Sequence, residues 1–88
     1  MMTHEPVTFG ALKGNVYDFP EINDALPMHE HAKGNNHISI VSKGSFKAHG
    51  DGWEMVITTG NVVDWPNDQA HEFIALEAGS RLVNIIKG

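Results

Sequence analysis

The fold of this chain is decided by the stretch PMHEHAKGNNHISIVSKG, residues 27–44, together with GNVVDWPNDQAH, residues 60–71. Four of the six histidines lie in these two stretches. His29 and His31 are two residues apart, a spacing that puts both side chains on one face of a β-strand. Neutral imidazole is the commonest protein ligand for divalent transition metals. We therefore expect these histidines to gather around a metal ion.

The first stretch resembles the first motif of the cupin superfamily. That motif is a Gly, five residues, His-x-His, three or four residues, Glu, six residues and Gly. His29 and His31 fit the His-x-His pair, His37 takes the place of the Glu, and Gly44 follows after six residues. Asn23 stands where the pattern has its first Gly, and five residues separate His31 from His37, one more than the pattern allows.

The second stretch resembles the second cupin motif, which is Gly, five residues, Pro-x-Gly, two residues, His, three residues and Asn. Gly60, Pro66 and His71 fit this spacing. Asp68 replaces the second Gly, which is a mild change because Asp tolerates turns. Ala75 stands in place of the final Asn.

The resemblance implies an all-β fold, the double-stranded β-helix or jelly-roll barrel, formed by one small cupin domain over residues 1–88. The turn pattern favours the same fold, because short strand-like runs alternate with Gly, Asn, Asp and Pro throughout. We expect eight to ten short strands, no long helix, a first turn at Gly14–Asn15 and an irregular stretch at 20–27 with one helical turn. The strands are expected at residues 7–12, 16–19, 28–31, 37–42, 46–48, 53–58, 62–65, 70–76 and 81–87.

The predicted site is one divalent transition metal bound by His29, His31, His37 and His71. Imidazole ligands suit Fe(II), Ni(II), Cu(II) and Zn(II) better than Mg(II) or Ca(II), and the sequence leaves the choice among the four open. Four neutral ligands leave the site at +2, which should attract anionic, chelating molecules. A three-histidine site without His37 is the alternative.

Other polar residues are expected to stand apart from this site. Glu30 points to the opposite face from its neighbours, His49 is expected in solvent at a hairpin tip, and His4 lies near the terminus. Further candidates for the pocket are side chains expected on the inward faces of neighbouring strands. They are Phe46, Trp53, Met55, Trp65, Phe73 and Arg81.

The cupin resemblance implies a mononuclear non-haem metal enzyme that acts on a small molecule, with an Fe(II) dioxygenase as its leading form. No catalytic residue is identified. A non-catalytic cupin that binds a small ligand as a sensor or accessory module is the alternative, and a structural dimer is a third. We expect no extra loops or second barrel to enclose a large substrate, so the substrate is expected to be small.

Composition excludes several functions. A net charge of −5 and the absence of a basic stretch argue against nucleic-acid binding. No apolar segment is long enough to span a bilayer, so no membrane partner is expected. The absence of cysteine and of a signal peptide is compatible with a cytoplasmic location. Strands that are apolar on both faces, and residues 7–19, predict a homodimer.

Overall fold

The computed structural model describes residues 1–29, 37–65 and 70–86, with His29 described through its backbone. These ranges hold nine β-strands and no helix, so no helix among them could cross a membrane. The strands are β1 (Thr3–Phe9), β2 (Leu12–Phe19), β3 (Ala25–His29), β4 (His37–Lys43), β5 (Ser45–Gly50), β6 (Trp53–Thr58), β7 (Val62–Asp64), β8 (His71–Ala75) and β9 (Ser80–Ile86).

The strands form two antiparallel sheets that pack face to face. The five-stranded sheet has the order β1-β2-β9-β4-β7, and the four-stranded sheet has the order β3-β8-β5-β6. Successive strands repeatedly cross from one sheet to the other, as they do in a jelly roll. The predicted all-β jelly-roll fold, its strand number and the absence of a long helix in the described ranges are confirmed.

The core lies between the two sheets. Apolar side chains on alternate residues of both inner faces fill it, as the period of two requires. Phe46 makes edge-to-face contacts with Phe19 and Phe73, at centroid distances of 4.7 and 6.3 Å. The buried apolar set is Phe19, Val41, Phe46, Ala48, Ile57, Trp65, Phe73, Ala75 and Leu82.

The first hairpin differs from the sequence prediction. Its turn lies at Gly10–Ala11, where Gly10 has a φ of 64°, and β2 continues straight through Gly14 and Asn15. Gly14 is needed for packing and not for a turn, because a Cβ there would overlap the Asn84 carbonyl of β9. The predicted turn at Gly14–Asn15 is therefore wrong.

The strand before the histidine pair begins earlier than predicted. A hydrogen-bonded turn from Glu21 to Asp24 takes the place of the expected helical turn, and β3 starts at Ala25. Asn23 has a φ of 72° and donates its N–H to the Ala75 carbonyl at 2.8 Å, which starts the pairing of β3 with β8. The left-handed backbone explains why the cupin pattern has a glycine at this position.

The backbone segments around two motif glycines, Gly44 and Gly60, are joined by hydrogen bonds. Gly44 has a φ of 69°, and its carbonyl accepts hydrogen bonds from Thr59 N at 3.1 Å and Thr59 Oγ1 at 2.9 Å. Gly60, at a φ of 93°, donates to the Val41 carbonyl at 2.9 Å. A Cβ on Gly44 would overlap the Ser80 side chain. The ends of the two motifs are thus joined by backbone geometry that only glycine adopts easily.

Candidate metal and ligand site

His71 begins β8 and points into the barrel. It is fully buried with Phe73 and Ala75, which lie on the same face of the strand, as their alternation predicted. Its Cα partner across the sheet is His29, the last residue of β3. The two predicted ligands therefore stand on neighbouring strands at one end of the four-stranded sheet. The ring nitrogen Nε2 of His71 is buried.

The Trp65 indole fixes the position of the His71 ring. The two rings stack with centroids 4.3 Å apart and planes inclined by 15°. Phe73 contacts the His71 ring edge-on, with centroids 5.5 Å apart. Trp65 Nε1 donates to Ser39 Oγ at 2.8 Å, and Ser39 Oγ donates to Asn84 Oδ1 at 2.6 Å. Both Ser39 and Asn84 are buried. The stack is therefore held by a buried polar chain that runs along the inner face of the five-stranded sheet, from Trp65 after β7 to Ser39 on β4 and Asn84 on β9.

His37 approaches from the five-stranded sheet. It is the first residue of β4, its Nδ1 is buried, and its carbonyl accepts a hydrogen bond from Trp65 N at 3.1 Å. Trp65 consequently contacts His37 through its backbone and His71 through its ring. His37 and His71 come from opposite sheets, at strand starts that both adjoin this tryptophan.

Part of the predicted metal site lies outside the described residues. This holds for His31 and for the side chain of His29. The motif residues Glu30, Pro66 and Asp68, which were not predicted as ligands, also lie outside the described residues. Among the side chains that the structure describes, no group of three or more His, Cys, Asp or Glu residues could hold a metal ion. The four-histidine site therefore stays a prediction. The donors that are described, two imidazoles with buried ring nitrogens, have the chemistry that such a site requires.

A row of side chains connects His37 with a surface pocket. Cross-strand pairing places His37 opposite Ile86, Ile86 opposite Lys13 and Lys13 opposite Thr8, all on the inner face of the five-stranded sheet. The pocket has a volume of about 560 Å³. Its lining consists of Pro6, Val7, Thr8, Lys13, Gly14, Asn15 and Ile86.

Lys13 and Asn15 were not predicted as site residues. The sequence prediction put a turn at Gly14–Asn15, which would have removed both side chains from the barrel. Once β2 is extended to Leu12–Phe19, its alternation gives the inner face to Lys13, Asn15, Tyr17 and Phe19. The signal was present in this alternation, because Tyr17 and Phe19 are apolar residues two positions apart.

Several residues lie elsewhere than predicted. His49 is half-buried, not in solvent, and its Nε2 lies 2.7 Å from Glu72 Oε1 across β5 and β8. Arg81 faces outward and donates to Asp18 Oδ1 at 2.7 Å, so it is not a pocket residue. That hydrogen bond raises the pKa of Arg81. The predicted inward position of Arg81 is wrong because it alternates with the buried Ser80 and Leu82.

The other pocket candidates divide between core and rim. Phe46, Phe73 and Trp65 are buried in the core, and Trp53 packs against the core with its ring 5.7 Å from that of Trp65. Met55 shares the inner face of β6 but lies at the edge of the sheet and is 41% exposed. Near the terminus, His4 stacks on Tyr17 at 5.5 Å, and burial raises the pKa of Tyr17.

The architecture is shared with solved structures, several of which are described as cupins. KdgF from Halomonas sp. matches 96% of this chain and 77% of its own with a TM-score of 0.82 at 20% identity. An RmlC-like cupin from Desulfovibrio desulfuricans matches 97% of this chain and 81% of its own, with a TM-score of 0.80 at 24% identity. A predicted oxalate decarboxylase from Thermotoga maritima matches 97% and 79%, with a TM-score of 0.79 at 16% identity.

No protein-family model matches the sequence, and no curated protein matches it. The likeness therefore rests on structure, at sequence identities that establish the fold alone. It agrees with the resemblance carried by the two histidine motifs. This chain has the fold of the cupin superfamily.

Proposed function

We propose that this chain is a small metal-binding cupin that acts on a small anionic molecule. The observation that carries the proposal is the inner row that runs from His37 through Ile86 to Lys13, beside a pocket of about 560 Å³. This volume is in the range of small-molecule sites. A histidine and a cation thus lie in one row on the inner face of one sheet, with Ile86 between them and the surface pocket at the Lys13 end.

The metal would be held by His29, His31, His37 and His71. The burial of the His71 imidazole and of His37 Nδ1 supports this assignment, because an inward imidazole can present a neutral nitrogen to an ion. Such donors suit Fe, Ni, Zn or Cu. When bound, the ion would supply Lewis-acid or redox chemistry, with the dioxygenase reaction as its leading form.

The residues of the chain bind and orient the ligand in this proposal. The Lys13 ammonium would pair with a carboxylate or a similar anion, and Thr8 and Asn15 line the same pocket with hydrogen-bonding groups. Trp65 holds the His71 ring in one orientation through the stack. The Ser39–Asn84 hydrogen bond in turn fixes the indole.

A non-catalytic cupin that binds a small ligand, as a sensor or accessory module, is the second candidate. One observation favours it. Among the described residues that line the pocket, Lys13 is the titratable one, and no carboxylate or imidazole is there to transfer a proton. Binding of small carboxylates without turnover would select this candidate.

Metal content tests the first part of the proposal. Protein purified without a His tag or a metal column should contain about one equivalent of Fe, Ni, Zn or Cu by elemental analysis. His71→Ala and His37→Ala should lose metal affinity, whereas His49→Ala should keep it, since His49 pairs with Glu72 outside the barrel. Unchanged metal content in both His37→Ala and His71→Ala would overturn the four-histidine site.

Ligand binding tests the second part. Oxygen uptake and calorimetry against a panel of small carboxylates, thiols and diketones should identify a ligand. Lys13→Gln should weaken binding of the anionic members at least tenfold without changing metal content. Lys43→Gln is the matched control, because Lys43 lies opposite Arg81 in the neighbouring strand, on the outer face of the same sheet. Equal binding by Lys13→Gln and wild type would exclude Lys13 as the anion site.

A further inference from the structure

Four strands of the five-stranded sheet have a terminus at the same end of the barrel, where β1 and β9 end and β2 and β4 begin. Cross-strand pairing aligns one inner-face residue from each of them, in the order His37, Ile86, Lys13 and Thr8. We call these four residues the terminal row. His37 is a proposed metal ligand, and the other three line the pocket of about 560 Å³.

The terminal row changes in chemistry along its length. The His37 imidazole lies at one end, the apolar Ile86 side chain follows, and Lys13 and Thr8 lie at the other end. Lys13 is exposed, so its ammonium is open to a ligand. Among the described residues that line the pocket, none is a carboxylate that would neutralise this cation. A ligand lying along the row would therefore meet a metal-directed group, an apolar surface and a cation, in that order.

The neighbouring inner row limits where such a ligand lies. It reads Ser39, Asn84, Asn15 and Pro6 in the same strand order. Ser39 and Asn84 are buried and joined by a hydrogen bond of 2.6 Å, so the space next to Ile86 on this side is filled by protein. Asn15 lines the pocket and offers its amide beside Lys13. The ligand therefore lies along the terminal row and does not reach deeper between the sheets.

We infer that the ligand is a linear dicarboxylic acid that bridges Lys13 and an ion held at His37, an inference that rests on the metal and anion sites of the proposed function. Two strand spacings of about 4.8 Å separate His37 from Lys13. A coordination bond of about 2.1 Å and a charge-assisted hydrogen bond of about 2.8 Å leave roughly 5 Å for the ligand. A chain of about four to five carbons spans this gap, since each bond of about 1.5 Å advances it by about 1.25 Å.

The chemistry of the row selects a diacid over other anions. A carboxylate suits both ends, because it pairs with the Lys13 ammonium and coordinates divalent ions. Four neutral imidazoles leave a bound ion at +2, so the second negative charge of the acid is also matched. Between the two ends, Ile86 can contact methylene groups, whereas a hydroxyl placed against it would lose a hydrogen bond to water. An unsubstituted diacid therefore fits the row better than a sugar acid does.

Calorimetry on the metal-loaded protein tests the chain length. Malonate, succinate, glutarate, adipate and suberate form the series, and butyrate and pentanoate are the controls with a single charge. Succinate or glutarate should bind about tenfold more tightly than suberate and the two monocarboxylates. Affinity that does not depend on chain length would overturn the bridging inference and leave Lys13 as an anion site. Failure of every acid to bind would overturn both the inference and the anion site of the proposed function.

A matched pair of double variants moves the cation. Ile86 and Ile85 are neighbours on β9 that point to the inner and outer faces of the sheet. Lys13→Gln with Ile86→Lys shifts the ammonium one strand closer to His37, so the preferred acid should shorten to malonate. Lys13→Gln with Ile85→Lys should lose the length preference. An optimum that stays at succinate or glutarate in both double variants would overturn the inference.

Lys13→Gln alone keeps the inference testable if a double variant does not fold, which near-UV circular dichroism reports. Lys13 is exposed, so this substitution should leave the fold intact. The variant should bind succinate and glutarate about tenfold more weakly than wild type, at the level of butyrate and pentanoate. Its metal content should equal that of wild type. A length optimum that persists in Lys13→Gln would show that another group holds the second carboxylate and would contradict the bridge to Lys13.

Discussion

The Trp65 indole lies parallel to the His71 imidazole inside the barrel, with ring centroids 4.3 Å apart and planes inclined by 15°. Five residues separate Trp65 from His71 in the sequence, yet the fold makes the two rings a single unit. Any ion bound by His71 would lie close to one of the two tryptophans of the chain. This proximity makes the candidate metal site observable by fluorescence.

Metal binding is therefore expected to quench tryptophan emission. Adding one equivalent of Cu(II) or Ni(II) to metal-free protein should lower the emission, because these ions quench nearby indoles, and EDTA should restore it. Trp65→Phe should lose more of the quenching than Trp53→Phe, because Trp65 is the ring in contact with His71. Equal quenching in wild type and Trp65→Phe would place the bound ion away from His71.

Ser39→Ala should destabilise the fold. The substitution removes the hydroxyl that accepts from Trp65 Nε1 and donates to Asn84 Oδ1, and Ser39 is 1% exposed. Leaving buried polar groups unsatisfied costs about 1–3 kcal/mol in the free energy of unfolding. Urea denaturation measures the loss.

Ser42→Ala is the control for this prediction. Ser42 is an exposed serine on the same strand, with a 3.5 Å hydrogen bond to the Arg81 carbonyl. Its loss should change stability by less than about 0.5 kcal/mol. Equal losses in the two variants would mean that the buried chain contributes no more than an exposed contact.

Most of the fold was predictable because the turns and the strand period are local features. The hairpin tip at Asp51–Gly52 gives β6 its predicted bounds, Trp53–Thr58, and the alternation around His71 gives the correct inner face. The first hairpin was predicted wrongly because Gly14 looks like a turn residue. Glycine is required there because the Asn84 carbonyl approaches the backbone closely. Asn84 is 70 positions away in the sequence, so no local pattern reveals this contact.

The site was predictable only in part, for the same physical reason. Motif spacing singled out His71 and His37, and both stand at strand starts next to Trp65. The proposed role of Lys13 in anion binding depends on its register with Ile86 and His37. These residues belong to strands that lie far from β2 in the sequence. Likewise, Glu72 contacts His49 only because β5 pairs with β8. The local sequence does not show this pairing, and it therefore indicated a solvent-exposed His49.

Asn23→Ala should destabilise the protein, whereas Asn23→Gly should be neutral or slightly stabilising. Among the described residues, Asn23 is the one non-glycine residue with positive φ, at 72°. A left-handed backbone costs roughly 1–2 kcal/mol for most L-residues and nothing for glycine. Thermal or urea unfolding compares the variants. Ile22→Ala, a change at an exposed neighbour, is the control, and equal losses for Ala at both positions would contradict the expectation.

Asp24 should make the stability of the fold depend on pH in acid. Its carboxylate accepts a hydrogen bond from Glu21 N at 3.0 Å, which lowers the pKa of Asp24 in the folded state, and the terminal ammonium of Met1, 3.1 Å away, adds to the effect. The folded protein therefore binds fewer protons at this group than the unfolded chain does. The resulting stability is present above the unfolded pKa of about 3.9 and is lost as pH falls through the lower folded pKa.

Asp24→Ala should accordingly be less stable than wild type at pH 7, and the difference should shrink below about pH 4 as the wild-type carboxylate is protonated. Urea unfolding at pH 7, 5, 4 and 3 measures the difference. Asp51→Ala, in the exposed turn between β5 and β6, controls for the general effect of removing an acidic side chain. A difference for Asp24→Ala that stays constant down to pH 3 would show that the ionised carboxylate is not what stabilises this turn.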